Sequence, residues 1–263
     1  MCSLKEYLNV LETVAPLYLS EEMIKTGAYD NSGIIVDSDK PVKKVLFALD
    51  LSFLSIEKAI SINADTILTH HPAIYTPISS LAATCPVTGP VFKAIENGLN
   101  VISMHLNLDV ASEGIDYFLA KALGAKNVKT VFCVEKELGY GKTFCINETN
   151  LKEYVKQLKI TLNTDKIIFY GNENQTIKSV ASFCGAGGTE AIKAVESSRL
   201  DADVIVTSDV KHNQIKELLD YGKKLIILPH YVAEEFGFNK FYQTIKNKTL
   251  NIESCYFDDQ RFR

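Results

Sequence analysis

The 263-residue chain holds five histidines, and each stands beyond a short apolar run. Thr66-Ile67-Leu68-Thr69 leads into His70-His71, Val101-Ile102-Ser103-Met104 into His105, and Leu225-Ile226-Ile227-Leu228-Pro229 into His230. Val204-Ile205-Val206-Thr207 leads through Ser208 and Asp209 towards His212. Carboxylates follow two of these histidines at helical spacing, Asp109 after His105 and Glu234 after His230. Four residues apart on a helix, two such side chains share a face and can grip one ion. His70 and His71 are adjacent, so on a regular strand they would point to opposite faces, and both can serve as ligands only where the strand has ended. Pro72 favours such an end, because it cannot join a central ladder and biases His71 away from the helical region. A lone His105 or His212 reads more plainly as a satisfied, half-buried residue. Taken together, the double histidine, HxxxD and HxxxE fit a site of mixed imidazole and carboxylate ligands.

Other polar features carry less. Gly185-Ala186-Gly187-Gly188-Thr189 lies between a strand and a helix candidate, where backbone amides could meet a phosphate, yet it is no GxGxxG or Walker motif and reads first as a tight turn. Asp30-Asn31-Ser32-Gly33 reads as a turn. Asp209 and Lys211 read as a surface salt bridge or helix cap.

Apolar runs rich in Val, Ile and Phe alternate with amphipathic stretches, the pattern of strands joined by crossover helices. The expected class is α/β, with mixed or mostly parallel sheets in two lobes. Strands are expected at 33–36, 45–49, 66–69, 101–104, 143–146, 166–170, 179–183, 204–207 and 225–228, and helices at 4–15, 55–63 and 115–123. In such sheets ligands bind beyond the carboxyl ends of the strands, so the histidines would converge on one edge. No repeat of short period is visible. Gly139, Gly141 and the polar stretch 171–175 are the best loop signals in mid-chain. The working division is a first lobe over 1–129 carrying most ligands and a second over 130–263, whose segment from about 225 returns to complete the site.

A hydrophobic fraction of 46% is ample for a sizeable core. The net charge of -4, with basic residues scattered, gives no sign of nucleic acid or an anionic membrane as partner. No apolar run approaches the roughly 18 to 20 residues that span a bilayer, and the polar start reads as lacking a secretory signal, so a cytoplasmic protein is expected. Six widely spaced cysteines form no CxxC pair and read as buried free thiols.

The chain resembles the Nif-three-like dinuclear metal-centre proteins, also named GTP cyclohydrolase type-two homologues. The resemblance spans nearly the whole chain. It rests on Tyr29-Asp30-Asn31-Ser32-Gly33, Leu49-Asp50-Leu51-Ser52, Thr69-His70-His71-Pro72, His105-Leu106-Asn107-Leu108-Asp109, Cys184-Gly185-Ala186-Gly187-Gly188, Ser208-Asp209-Val210-Lys211 and His230-Tyr231 with Glu234. It implies a two-lobed subunit of the short form, a homohexamer, and two divalent ions per subunit on His70, His71, Asp109, His230 and Glu234, with His105 in or beside the ligand shell. Pro229 stands where the family often has glycine. His212 directly follows Lys211, where the family often has a histidine two positions beyond the lysine.

Mixed nitrogen and oxygen ligands suit zinc, iron or manganese better than magnesium. Two such ions roughly 3.5 to 4 Å apart lower the pKa of water and clamp a substrate's oxygens. The expected function is therefore a metal-dependent hydrolase, with Asp109 and Glu234 bridging and His105 and Glu234 serving catalysis; the glycine turn and the resemblance imply a nucleotide or other phosphorylated small molecule as substrate. The alternatives are a non-catalytic metal-binding or adaptor protein, and a regulatory interaction module.

Overall fold

The computed structural model describes residues 2–263. They divide into two compact units, one running up to Ala111 and resuming over Phe238–Asp259, the other Ser112–Gly237 with Gln260–Arg263.

The first unit opens with α1 (Leu4–Glu12) and α2 (Tyr18–Lys25) and continues through β1 (Gly33–Val36), β2 (Lys44–Ala48), α3 (Phe53–Ser61), β3 (Thr66–Thr69), α4 (Gly89–Glu96), β4 (Asn100–Ser103) and α5 (Leu106–Val110). The second contains α6 (Ile115–Ala122), β5 (Lys126–Glu135), β6 (Leu138–Asn150), α7 (Leu151–Thr161), β7 (Ile168–Tyr170), β8 (Thr176–Ser182), α8 (Gly188–Glu196), β9 (Val204–Thr207), α9 (His212–Asp220) and β10 (Lys224–Ile227). Helix α10 (His230–Lys248) begins in the second unit and continues unbroken into the first, where β11 (Glu253–Phe257) follows.

The class is α/β with mixed sheets, as the alternation of runs implies. The first sheet has the order β1-β4-β3-β2-β11, with β11, β2, β3 and β4 parallel and β1 antiparallel at the edge. Its strands are apolar on both faces because both are covered. Leu46, Ile67 and Val101 pair across three strands and pack with Ile56, Ala59, Val91 and Ala94 of α3 and α4. One residue on, Phe47 faces the other way and meets Phe238, Phe241 and Tyr242 of α10 at ring separations of 6.2, 6.3 and 5.1 Å. The second sheet has the order β5-β6-β8-β9-β10-β7, with β8, β9 and β10 parallel. Ala181, Ile205 and Leu225 line its face towards Ala191 and Ala194 of α8 and Leu218 of α9.

The two units repeat one arrangement. In each, three parallel strands are joined by two helices, and a short antiparallel strand flanks the third: β2, β3 and β4 with β1, and β8, β9 and β10 with β7. An aspartate before each middle strand stitches the backbone of the neighbouring strand. Asp65 accepts from Lys43 N and Lys44 N at 2.9 and 3.0 Å, and Asp203 accepts from Lys178 N and Ser179 N at the same two distances.

Two expectations change in detail. Gly139 and Gly141 lie inside β6, paired with β5, rather than in a loop. Glycine is required at 139, where φ is +152° and a Cβ would fall 1.9 Å from Phe132 O. Strands β5 and β11 were not expected; both are mostly half-exposed, and the apolar run 131–134 of β5 is flanked by polar residues.

Asp203 makes the fold sensitive to acid. Burial pushes its carboxyl up, but the hydrogen bonds from Lys178 N, Ser179 N and the Ser179 hydroxyl, with the Lys224 charge, outweigh this and hold it below the usual carboxylate range. A lowered folded pKa contributes stability that is complete above the unfolded value of about 3.9 and is lost as pH falls through the folded value. Urea midpoints measured from pH 7 to pH 2 should therefore fall on the acid side in the wild type, whereas Asp203→Asn should start lower at pH 7 and fall less steeply.

Candidate metal centre

In the first unit the donors gather at the carboxyl ends of the parallel strands. Strand β3 stops at Thr69, whose hydroxyl donates to His71 O at 2.8 Å, while His70 N and His71 N both donate to Leu49 O at 3.2 and 3.0 Å. With regular pleating ended, the two rings lie on one side, their centroids 4.9 Å apart. His105 follows β4 and caps α5, its ring 5.2 Å from His70 and 5.9 Å from His71. His70, His71 and His105 each offer a ligand nitrogen within 4.8 Å of the others. Asp109 lies on α5 with its carboxylate almost fully buried, and its Oδ1 is 3.5 Å from His70 Nε2.

The second unit brings His230 and Glu234 together on the first turns of α10, with Nε2 to Oε1 at 3.0 Å. Glu234 is buried at 3% exposure. The turn between β8 and α8 closes over it. At Gly185, where φ is +60°, a Cβ would stand 2.7 Å from Glu234 Oε1 and 3.5 Å from His230 Cε1. The turn is itself fixed: Cys184 N donates to buried Asp116 at 3.1 Å, Tyr140 donates to Cys184 O, and Ser208 N donates to Gly185 O at 3.0 Å. The glycine string is thus a strand-to-helix turn that leaves room for a carboxylate.

A further pattern escaped the sequence reading. The Nδ1 of each of these four histidines meets an acceptor: Met104 O for His70 at 2.8 Å, Asp50 for His71 at 2.7 Å, Asp30 for His105 at 2.7 Å and Asp209 for His230 at 2.5 Å. A carbonyl or carboxylate oxygen accepts there, so each ring donates through Nδ1 and its orientation is fixed. An imidazole held in this way can serve as a metal ligand through Nε2. Asp50 and Asp209 stand just past β2 and β9, the same strand-end signal that marks the histidines. Asp209, expected as a cap or surface ion pair, instead orients His230 from a left-handed φ of 49°. Asp30 precedes β1, and because β1 runs antiparallel with Gly33 opposite Ser103, its start lies at the carboxyl end of β4. His212 is exposed at the start of α9.

With this geometry in view, the comparisons are decisive on ancestry. The model of the Duf34/NIF3 (NGG1p interacting factor 3) family matches residues 2–261. The chain belongs to this family. It is 27% identical over 235 residues to the GTP cyclohydrolase 1 type 2 homolog of Clostridium perfringens, covering 88% of this chain and 86% of the relative. A homologue of the same name from Methanocaldococcus jannaschii is 28% identical, with 97% and 98% covered. A Bacillus cereus protein related to NIF3 superposes with a TM-score of 0.84 over 97% of this chain and 96% of its own, and at 18% identity that likeness speaks for the fold. No described helix is long and apolar enough to cross a membrane.

The donor sets are the kind that can hold divalent ions: imidazoles oriented through Nδ1 beside buried carboxylates. Gly185→Ala tests the second set. Its methyl group would push Glu234 aside from a strained backbone, so the variant should lose about 1–3 kcal/mol in a denaturation midpoint. Calorimetric titration should show zinc bound roughly 10–100-fold more weakly.

Proposed function

We propose that the chain is a dinuclear divalent-metal protein with His70, His71, Asp109, His230 and Glu234 as ligands, and that it hydrolyses a nucleotide or other phosphorylated small molecule. The observation that carries the reading is the arrangement of donors: histidines oriented through Nδ1, each set accompanied by a buried carboxylate.

Bound ions of this kind lower the pKa of water towards neutrality and polarise the oxygen under attack. Asp109 and Glu234 would each offer two carboxylate oxygens to such ions, and the mixed donors would suit zinc, iron or manganese. His105 stands beside His70 and His71 as the group to pass a proton at Nε2, with Glu234 as its carboxylate counterpart. Tyr75, half exposed with its ring 6.0 Å from His105 and 5.1 Å from Tyr29, offers an aromatic surface for a planar base. The names of the relatives point to a guanine nucleotide as the first substrate to try. A cytoplasmic homohexamer is the assembly the family resemblance favours.

Elemental analysis and sedimentation of the purified protein, followed by assays on GTP, other nucleotides and phosphodiesters, test the proposal. Two ions per chain in a hexamer, and turnover abolished in His70→Ala and Glu234→Gln, are expected. Two ions that raise the melting temperature without any turnover would sink the hydrolase and leave a metal-binding or adaptor protein.

A further inference from the structure

Asp30 differs from the other aspartates that hold histidines. The Asp50 and Asp209 side chains are 45% and 57% exposed, so water can replace them, whereas that of Asp30 is wholly buried. A buried carboxylate is costly unless its oxygens are hydrogen-bonded. Those of Asp30 are: Oδ1 faces His105 Nδ1 at 2.7 Å, and Oδ2 accepts from the hydroxyls of Ser20 and, at 2.7 Å, Ser32. The Ser32 oxygen in turn accepts from the backbone N of His105 at 3.1 Å. The short Asp30–Ser32 segment thus grips His105 at ring and backbone together. Burial pushes the Asp30 carboxyl up, but the hydrogen bonds from His105, Ser20 and Ser32 outweigh it and hold it below the usual range. The group is ionised and can only accept.

We propose that Asp30 is a positioning residue for His105: from a buried cage with Ser20 and Ser32 it fixes the plane and tautomer of the imidazole, so that Nε2 presents its lone pair to the cluster with His70 and His71. The role rests on the reading of that cluster as the functional site. A surface turn would not need a carboxylate buried from solvent, and a structural cap would not engage an imidazole. Asp30 therefore acts through His105 and touches neither ion nor substrate.

Long-range proton–nitrogen spectra of the histidine rings in the metal-free full chain at pH 8 test this, with signals assigned by single His→Gln variants. In the wild type, His105 should show a protonated Nδ1 and an unprotonated Nε2. In Asp30→Ala that pattern should give way to a mixture rich in the Nε2–H form, while His71, held by Asp50, keeps its own. Asp30→Asn preserves the packing if the alanine variant does not fold, and because its amide presents either a donor or an acceptor, it too should yield a mixture. Zinc stoichiometry and affinity of the folded variant should stay within threefold of wild type. Unchanged His105 signals in both variants would overturn the proposal, as would a loss of zinc stoichiometry accompanying the change, which would make Asp30 a general scaffold. The metal-free spectra decide the matter even if the wild type binds no zinc, an outcome that would remove the metal-centre reading alone.

Discussion

The capture of Nδ1 is the interaction on which the rest of this molecule turns. An imidazole left to itself exchanges its proton between two nitrogens and rotates about its own bond. A ring that donates through Nδ1 to a carbonyl or carboxylate has lost both freedoms. Here that donation occurs at His70, His71, His105 and His230, from one backbone oxygen and three aspartates. Much of the architecture around the sites can be understood as the means of placing those four acceptors.

Parallel strands provide the means. At their carboxyl ends the chain leaves the ladder, so successive residues are released from strict alternation between faces, and side chains adjacent in sequence can point the same way. His70 and His71 depend on this release, and the Thr69 hydroxyl enforces it by tying His71 O. The repeated unit then supplies the remaining positions. The segment after the first parallel strand gives Asp50 in one unit and the Gly185 turn in the other; after the second it gives His70 and His71, or Asp209; after the third it gives His105, or His230. One topology has thus been filled with different chemistry at equivalent places. The antiparallel edge strand adds a fourth contributor, because its beginning lies where its neighbour ends.

How much of this could be read beforehand follows from what each residue announces. Strands β3 and β9 were legible to the residue because they are uniform apolar runs closed by polar side chains, and the histidines were legible as chemistry because five of them follow such runs. The hairpin of β5 and β6 was legible only at 143–146, since most of its remaining positions are polar or half-exposed. The supporting aspartates were harder still. Asp30, Asp50 and Asp209 are common residues in positions where a turn or cap is the ordinary explanation, and only pairing across 21 or more residues of chain distinguishes them. The repeat escaped notice for a related reason: it is conserved as topology and as the Asp65 and Asp203 stitches, not as a motif of short period.

Charge closes the argument. A histidine held through Nδ1 leaves Nε2 as the nitrogen turned towards the other donors, and three such rings meet in the first unit's cluster. Asp109 lies buried beside them at 5% exposure, and Glu234 lies buried beside His230 at 3%. Burying a carboxylate charge costs several kcal/mol unless it is paired. A divalent cation would offset that cost, because the same ion can take carboxylate oxygens and imidazole nitrogens as ligands. The arrangement that orients the imidazoles is therefore one that suits a cation.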